Sequence, residues 1–360
     1  MRSKLSFISL LLIMALSFGA CSSYNKLLKS NDLEKKYTAA IAYYQKKDYY
    51  KAGQLFDELL IAFKGDQRFE EIYYYYSYCK YGNGELIMAS YHFKNFYESF
   101  PTSDKAEEAL YMHVYCDYLE TYPYYLDPTV TRMTMDNIQL FINIFPTSTH
   151  VPDCNKYMDD LRGRLREKSL ESARLYMKME DYQAAIIAFG NTIKDYPELD
   201  NKDQIEATVV KCQYMMAINS VDSKKAARLR EVKTLHDDFV RTYGTNSKHY
   251  NSVNTYLKRS IELLNSLALQ AGYAQLEKGN YREAALAFKG QINTPGIQNK
   301  GQVTYLMIDA LYKAAKEEKN KELFQEVIKE SDAFIQSFGE SHRYHKKVIK
   351  LKSKAQKALK

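Results

Sequence analysis

Leu170 to Pro197 reads LESARLYMKMEDYQAAIIAFGNTIKDYP, and its spacing decides the fold. Small Ala173 sits where two helices must cross closely, and Tyr176 follows three residues later. Ala185 and Phe189 take the small and large positions of a second helix, and Pro197 takes its stop. Glu180-Asp181 supplies the turn between the two helices. From Tyr182 to Tyr196 the apolar residues recur at helical period. Pro197 cannot continue the helix, because it lacks an N–H and its ring clashes with the preceding turn. One such hairpin cannot bury its own apolar face, so it needs neighbours of the same kind.

The rest of the chain supplies them. A first copy carries Ala40, Tyr43, Ala52, Phe56 and Leu59, with Lys64 where later copies have proline. A second has a helix over residues 70–81, then Ala89, Phe93, Phe96 and Phe100-Pro101. Gly82-Asn83-Gly84 lies inside it; such a triplet can turn a β-hairpin, but its flanks have helical period and predict an inter-helix turn. A third copy opens at Thr102-Ser103-Asp104-Lys105, contains the irregular insertion Tyr122-Pro123-Tyr124-Tyr125-Leu126-Asp127-Pro128, and closes at Ile138, Phe141 and Phe145-Pro146. The fourth is the opening hairpin, entered through a charged helix from about Asp153. Beyond Pro197 the pattern loosens. A fifth copy runs from about Asp203 to Tyr243-Gly244, a sixth shows Gly272, Asn280-Tyr281, Ala284 and Phe288, and a seventh ends at Phe334 and Phe338-Gly339. Last, residues 345–360 place Val348, Leu351, Ala355 and Leu359 on one face and lysines on the other. That suits the polar-faced cap a repeat array needs at its end; a basic patch for anionic headgroups or an acidic partner is the functional alternative. The pattern is that of tetratricopeptide repeats. The expected fold is all-α, a tetratricopeptide-repeat superhelical solenoid of antiparallel helix pairs.

At the other end, Arg2 and Lys4 precede an apolar run from Leu5 to Phe18, followed by Gly19-Ala20-Cys21. Residues 1–20 read as a secretory signal peptide, the run being shorter than the roughly 18 apolar residues of a membrane-spanning helix. Gly19-Ala20-Cys21 resembles a lipobox, which makes Cys21 the expected site of lipid attachment; Phe18 departs from the usual aliphatic residue. Ser22 and Ser23 follow in place of an acidic cluster. By resemblance to other lipoproteins, this favours an outer-membrane anchor with the body in the periplasm, residues 21–31 forming anchor and linker. The formal charge of the 360 residues is +7, and removing the leader leaves +5. So mild a charge on so long a chain does not imply nucleic acid. Tyr at 33 and Trp at 0 point to tyrosines as repeat core and groove lining rather than a cofactor box.

With these pieces in order, the chain from about residue 21 to 244 resembles the BamD family of outer-membrane lipoproteins. The resemblance rests on Cys21, on Asp48-Tyr49 with Ala52, and on Phe100-Pro101-Thr102-Ser103 with Ala106 and Ala109. It continues through Leu126-Asp127-Pro128, Phe145-Pro146-Thr147-Ser148, and Leu161-Arg162-Gly163-Arg164-Leu165 leading into Glu171-Ser172-Ala173-Arg174-Leu175-Tyr176. It implies about five repeats over 32–244; residues 245–339, about two more repeats, and the basic helix 340–360 exceed the family pattern. It implies a non-enzymatic scaffold that docks a BamA-like β-barrel insertase with other assembly subunits and helps receive unfolded outer-membrane proteins. Tetratricopeptide grooves are lined by the first helix of each hairpin, which places Tyr37, Tyr44, Tyr75 and Tyr78 near the groove, unless some of them only pack between helices. Arg174 is a candidate acidic contact on the insertase, or equally a solvated side chain.

No chemistry-bearing motif competes. The seven histidines form no zinc-protease pattern, and His342 with His345, close enough on a helix to share a metal, are expected to be solvated. No phosphate loop or nucleophile elbow occurs. Cys79, Cys116, Cys154 and Cys212 are expected as buried thiols, although an oxidising periplasm permits disulfides. No enzyme activity, metal or cofactor is therefore expected. Two other classes share the architecture: a SusD-like glycan-binding partner of an outer-membrane transporter, disfavoured by zero Trp and nearly continuous repeats, and an envelope-organising lipoprotein.

Overall fold

The computed structural model describes residues 23–292, 297 and 299–360; the expected signal peptide, residues 1–20, and Cys21 lie outside the described residues. A short helix over 23–28 (α1) precedes α2 (Leu33–Gln45), α3 (Tyr49–Ala62), α4 (Phe69–Gly82), α5 (Leu86–Ser99), α6 (Ala106–Leu119), α7 (Thr129–Ile144) and α8 (Val151–Lys178). Then follow α9 (Tyr182–Asp195), α10 (Lys202–Ile218), α11 (Asp222–Tyr243), α12 (Tyr250–Glu277), α13 (Tyr281–Ile292), α14 (Lys300–Glu318), α15 (Lys321–Phe338) and α16 (His345–Leu359). No strand occurs among the described residues. The fold is all-α and of the tetratricopeptide-repeat type, with α2 to α15 pairing into hairpins.

One turn recurs inside the hairpins, and it explains how the sequence marks them. The first helix ends on a left-handed residue, Lys47 (φ 59°), Gly84 (φ 76°), Glu180 (φ 61°), Gly279 (φ 80°) or Lys319 (φ 50°). The next N–H then reaches back five residues: Asp48 to the Tyr43 carbonyl (3.0 Å), Glu85 to Lys80 (3.0 Å), Asp181 to Tyr176 (3.0 Å), Asn280 to Gln275 (2.9 Å) and Asn320 to Ala315 (3.1 Å). This is the long bond of a Schellman motif. In three turns the same residue caps the following helix: Asp48 accepts from the Lys51 N–H, Asp181 from Ala184 and Asn320 from Glu322 and Leu323. One acid or amide thus ends one helix and starts the next. Because a side chain in the left-handed region costs about 1–2 kcal/mol, Glu180→Gly should raise stability by up to about 1 kcal/mol once glycine's extra unfolded-state freedom is subtracted. A urea midpoint that fails to rise would show that Glu180 is unstrained.

The chain forms two compact units, Met1–Lys168 and Ser169–Lys360. In the first, successive local cores are centred on Phe56 with Leu55 and Leu59, on Phe93 with Phe96, and on Phe141 with Ile138. In the second they are centred on Phe189, on Phe239, and on Phe288 with Phe334. Small residues make the close crossings: Ala40, Ala52, Ala89, Ala173, Ala185 and Ala284 are fully buried. At Gly272 even a methyl group would meet the Phe288 ring at 2.3 Å.

Cys79, Cys116, Cys154 and Cys212 are free and buried, each on the first helix of a hairpin. Burial pushes Cys79 and Cys116 up to about 12 and Cys154 and Cys212 up to about 11. Since only the thiolate attacks, all four should resist an aromatic disulfide reagent at pH 8 in the native protein and react once it is unfolded in urea. Rapid native labelling would contradict their burial.

The expectation of solvated C-terminal histidines is corrected. His345 is buried and its Nδ1 has no partner among the described residues. The His342 ring packs where a Cβ on Gly301 would come within 2.4 Å of its Nε2, beside Phe334 and Phe338 with centroids 5.2 Å away. The physical reason is that α16 begins at His345, so the two residues do not share a helical turn; His342 belongs to the loop that closes over the preceding hairpin.

Candidate functional site: a tyrosine stripe on the first helices

Within the first unit, the half-buried tyrosines concentrate on α2, α4, α6 and the start of α8. Tyr44 of α2 lies against Tyr75 of α4 with centroids 4.6 Å apart, and Tyr75 stacks at 6.1 Å on Phe56. Tyr37 donates its hydroxyl to Glu71 (2.6 Å), and its ring takes the Arg68 guanidinium at 5.8 Å. Tyr78 packs edge-on against Phe93 at 4.9 Å and donates to Glu108. Burial, then the carboxylate, pushes the Tyr37 phenol up to about 12 and that of Tyr78 higher still; burial raises Tyr44 and Tyr75 too. All four therefore stay neutral donors at any physiological pH.

The structure thus brings Tyr44 and Tyr75 into direct ring contact and joins Tyr78 to them through Tyr74, whereas Tyr37 packs separately on Phe63; much of each ring is engaged by neighbours. Arg174 lies in the second unit, half-buried and ion-paired with Glu171 one turn before it.

The stripe extends to residues that sequence reasoning passed over. Tyr111 and Tyr115 stack with rings 6° from parallel, and Tyr111 stacks on His150 at 3.8 Å. Tyr118 stacks on Tyr157 at 4.3 Å, donates to Asp160 (3.1 Å), and carries the Arg164 guanidinium over its ring at 5.7 Å. The signal was available: Tyr111, Tyr115 and Tyr118 fall at i, i+4 and i+7, one face of a helix. Next to them the insertion exposes Tyr122, Tyr124, Tyr125 and Leu126. Its carbonyls are held by α8: Lys168 donates to Tyr124 (3.3 Å) and Leu126 (2.8 Å), and Arg164 to Tyr122 (3.4 Å). The result is a set of rings fixed in orientation by carboxylates and cations, offering apolar faces and hydroxyls but no nucleophile.

A second polar cluster was also missed. Ser90, His113, Asp117 and Asn137 meet between α5, α6 and α7, with Ser90 Oγ 2.8 Å from His113 Nδ1 and Asn137 donating to Asp117 at 2.8 Å. Its residue types suggest hydrolysis, but the order is wrong. The serine hydroxyl donates to Asp117 directly, whereas a nucleophile must give its proton to a histidine that the carboxylate orients. Burial also lowers the proton affinity of His113. The cluster satisfies buried polar groups and ties three helices together. Among the described residues no group of three His, Cys, Asp or Glu could hold a metal, and no helix is long and apolar enough to cross a membrane.

Stacked helical hairpins with repeated small and large slots define a protein of the tetratricopeptide-repeat class. Residues 29–229, more than half of the chain, match the YfiO family, described as outer membrane lipoprotein. The chain belongs to this BamD-like family of outer-membrane lipoproteins. No protein of curated function matches it. Among solved structures, a tetratricopeptide repeat protein from Parabacteroides merdae is similar at 12% identity over 78% of this chain and 100% of that one, with a TM-score of 0.26. The tetratricopeptide domain of P58(IPK) is similar at 11% identity over 91% and 98%, with a TM-score of 0.30.

Proposed function

We propose that the protein is a non-enzymatic scaffold of the outer-membrane β-barrel assembly machinery. In this reading Cys21 carries the lipid that holds it at the outer membrane, with its body in the periplasm. The hairpins dock a BamA-like insertase and other assembly subunits, and the tyrosine stripe helps receive unfolded outer-membrane proteins. The observation that carries the reading is the coincidence of the family match, residues 29–229, with the hairpins that bear the stripe. An unfolded barrel strand alternates apolar side chains with unpaired backbone groups; oriented rings and phenols suit both. Arg174 is assigned to an acidic contact on the insertase, exchanging Glu171 for a partner carboxylate. The hairpins after about Thr245 are an addition to the family unit.

Photocrosslinking to peptides from barrel C-termini tests the stripe. Paired Tyr75→Ala and Tyr78→Ala should weaken capture by about tenfold or more if these rings are central anchors. Tyr75→Phe with Tyr78→Phe, which keeps the rings packed, should lose only the hydroxyl share. Undiminished capture by a folded alanine pair would remove the stripe from the function.

A further inference from the structure

Residues 345–360, which form α16, hold seven lysines and no Asp, Glu or Arg. Val348, Leu351 and Ala355 of this helix are buried in the core built with α14 and α15. At 3.6 residues per turn, Lys346, Lys350 and Lys357 fall within about 40° of arc on the opposite side, and all three are exposed. Other lysines of the helix are engaged. Lys352 pairs with Asp332, Lys347 lies 5.6 Å from the centroids of the stacked Tyr305 and Tyr344 rings, and Lys354 lies 5.8 Å from that of Tyr312. No carboxylate among the described residues pairs with Lys346, Lys350 or Lys357. Elsewhere a helical lysine finds an acid one turn away, as Lys35 does Asp32, Lys233 Asp237 and Lys313 Asp309. The bare stripe is costly to α16. Lys346 and Lys350 repel one another at i, i+4, and Lys346 stands in the first turn, where the helix dipole disfavours a cation. A cap that needed only solubility would be better served by mixed charge.

We propose that this lysine stripe is a docking surface for an anionic lipid bilayer. Three features favour lipid over an acidic protein. The helix has no arginine, whose planar fork suits fixed carboxylates, whereas ammonium groups on flexible stems suit laterally mobile phosphates. Ile349, 44% exposed, flanks the stripe three residues from Lys346 and offers an apolar side chain at headgroup depth. The chain also belongs to a family of outer-membrane lipoproteins, which work beside a bilayer. The contact is electrostatic and peripheral, since the apolar face of α16 stays in the core. It needs neither the tyrosine stripe nor the assembly reading.

Vesicle flotation tests it, using the chain from residue 21 with Cys21→Ser, so that no acyl chain supplies the attachment. The protein should float with vesicles of equal parts phosphatidylcholine and phosphatidylglycerol, stay in solution with phosphatidylcholine alone, and be released by high salt. Combined Lys346→Gln, Lys350→Gln and Lys357→Gln should weaken binding by about a hundredfold, each lysine at an anionic surface contributing about fivefold. These side chains are exposed and glutamine is a good helix former, so the variant should keep the parent's circular dichroism. Removing the same charge from exposed positions of the first unit, by Lys46→Gln, Lys64→Gln and Lys94→Gln, should change binding by no more than about twofold, because a charge beyond the Debye length is screened. No flotation with the phosphatidylglycerol vesicles overturns the proposal, and so does retained flotation of the α16 variant or an equal loss in the first-unit control. Capture of polyglutamate through the stripe, without flotation, would assign the surface to an acidic protein instead.

Discussion

Phe93→Ala should destabilise the protein by about 3–5 kcal/mol, the range for emptying a buried phenylalanine site that cannot collapse. Phe93 is fully buried in the core that joins α4, α5 and α6, among Tyr74, Ala89, Phe96, Ala109, Met112 and Cys116. Its neighbours are poorly placed to fill the void. Ala89 and Ala109 have no reach, and Tyr78, edge-on to it at 4.9 Å, is tethered through its hydroxyl to Glu108. Tyr91, two residues away and 58% exposed, is the internal control; its alanine variant should cost no more than about 0.5 kcal/mol. Urea unfolding of the two variants side by side measures the difference. A loss below about 1 kcal/mol at Phe93 would mean that the repeat slot is not the packing centre its spacing implies. The change should also loosen Tyr78, so a structural slot and the proposed receiving surface are coupled.

Glu58→Ala should cost about 2–3 kcal/mol, through the partner it leaves behind. Lys36 is 1% exposed, and its ammonium donates to the Leu28 carbonyl at 2.9 Å and to both Glu58 oxygens at 2.6 Å. Without Glu58 a buried cation keeps a single protein acceptor. The expected cost sits below the 3–5 kcal/mol of a fully buried broken pair, because Glu58 is 46% exposed and water can enter the space it vacates. Lys36→Met removes the charge along with its need for a partner and keeps the stem that packs under α1. It should therefore destabilise by less than Glu58→Ala, an ordering that a count of lost contacts would not produce. If Lys36→Met proves the more damaging of the two in urea unfolding, the pair is a net source of stability and the desolvation argument fails.

How much of this was legible in the sequence depends on which physical link each feature lives on. Ala40, Phe56, Ala173, Ala185, Phe189 and Phe288 could be placed in the core because the repeat spacing alone fixes which helix face meets its neighbour. The opening hairpin's turn was legible too, since Glu180-Asp181 reports a left-handed backbone and a cap that are local properties. Lys36 was not, because its burial depends on Glu58, 22 residues away, and on α1 closing over it. For the tyrosines, helical period shows that Tyr75 and Tyr78 share a region of α4 with the core. It does not show that Phe56 and Phe93 rise from adjacent helices to take up their faces. Tyr111, Tyr115 and Tyr118 carried their own signal in their spacing. His345 was misjudged because the start of α16 was set by a packed turn rather than by the run of basic residues around it.

The central claim, that this chain is a scaffold of barrel assembly, is tested most directly by what it holds at the membrane. A mild-detergent pull-down of the tagged protein from outer membranes, followed by mass spectrometry, should recover a stoichiometric barrel protein bearing several N-terminal periplasmic repeat domains. Recovery of a TonB-dependent transporter in its place, with no such barrel protein, would contradict the account and favour a glycan-uptake partner.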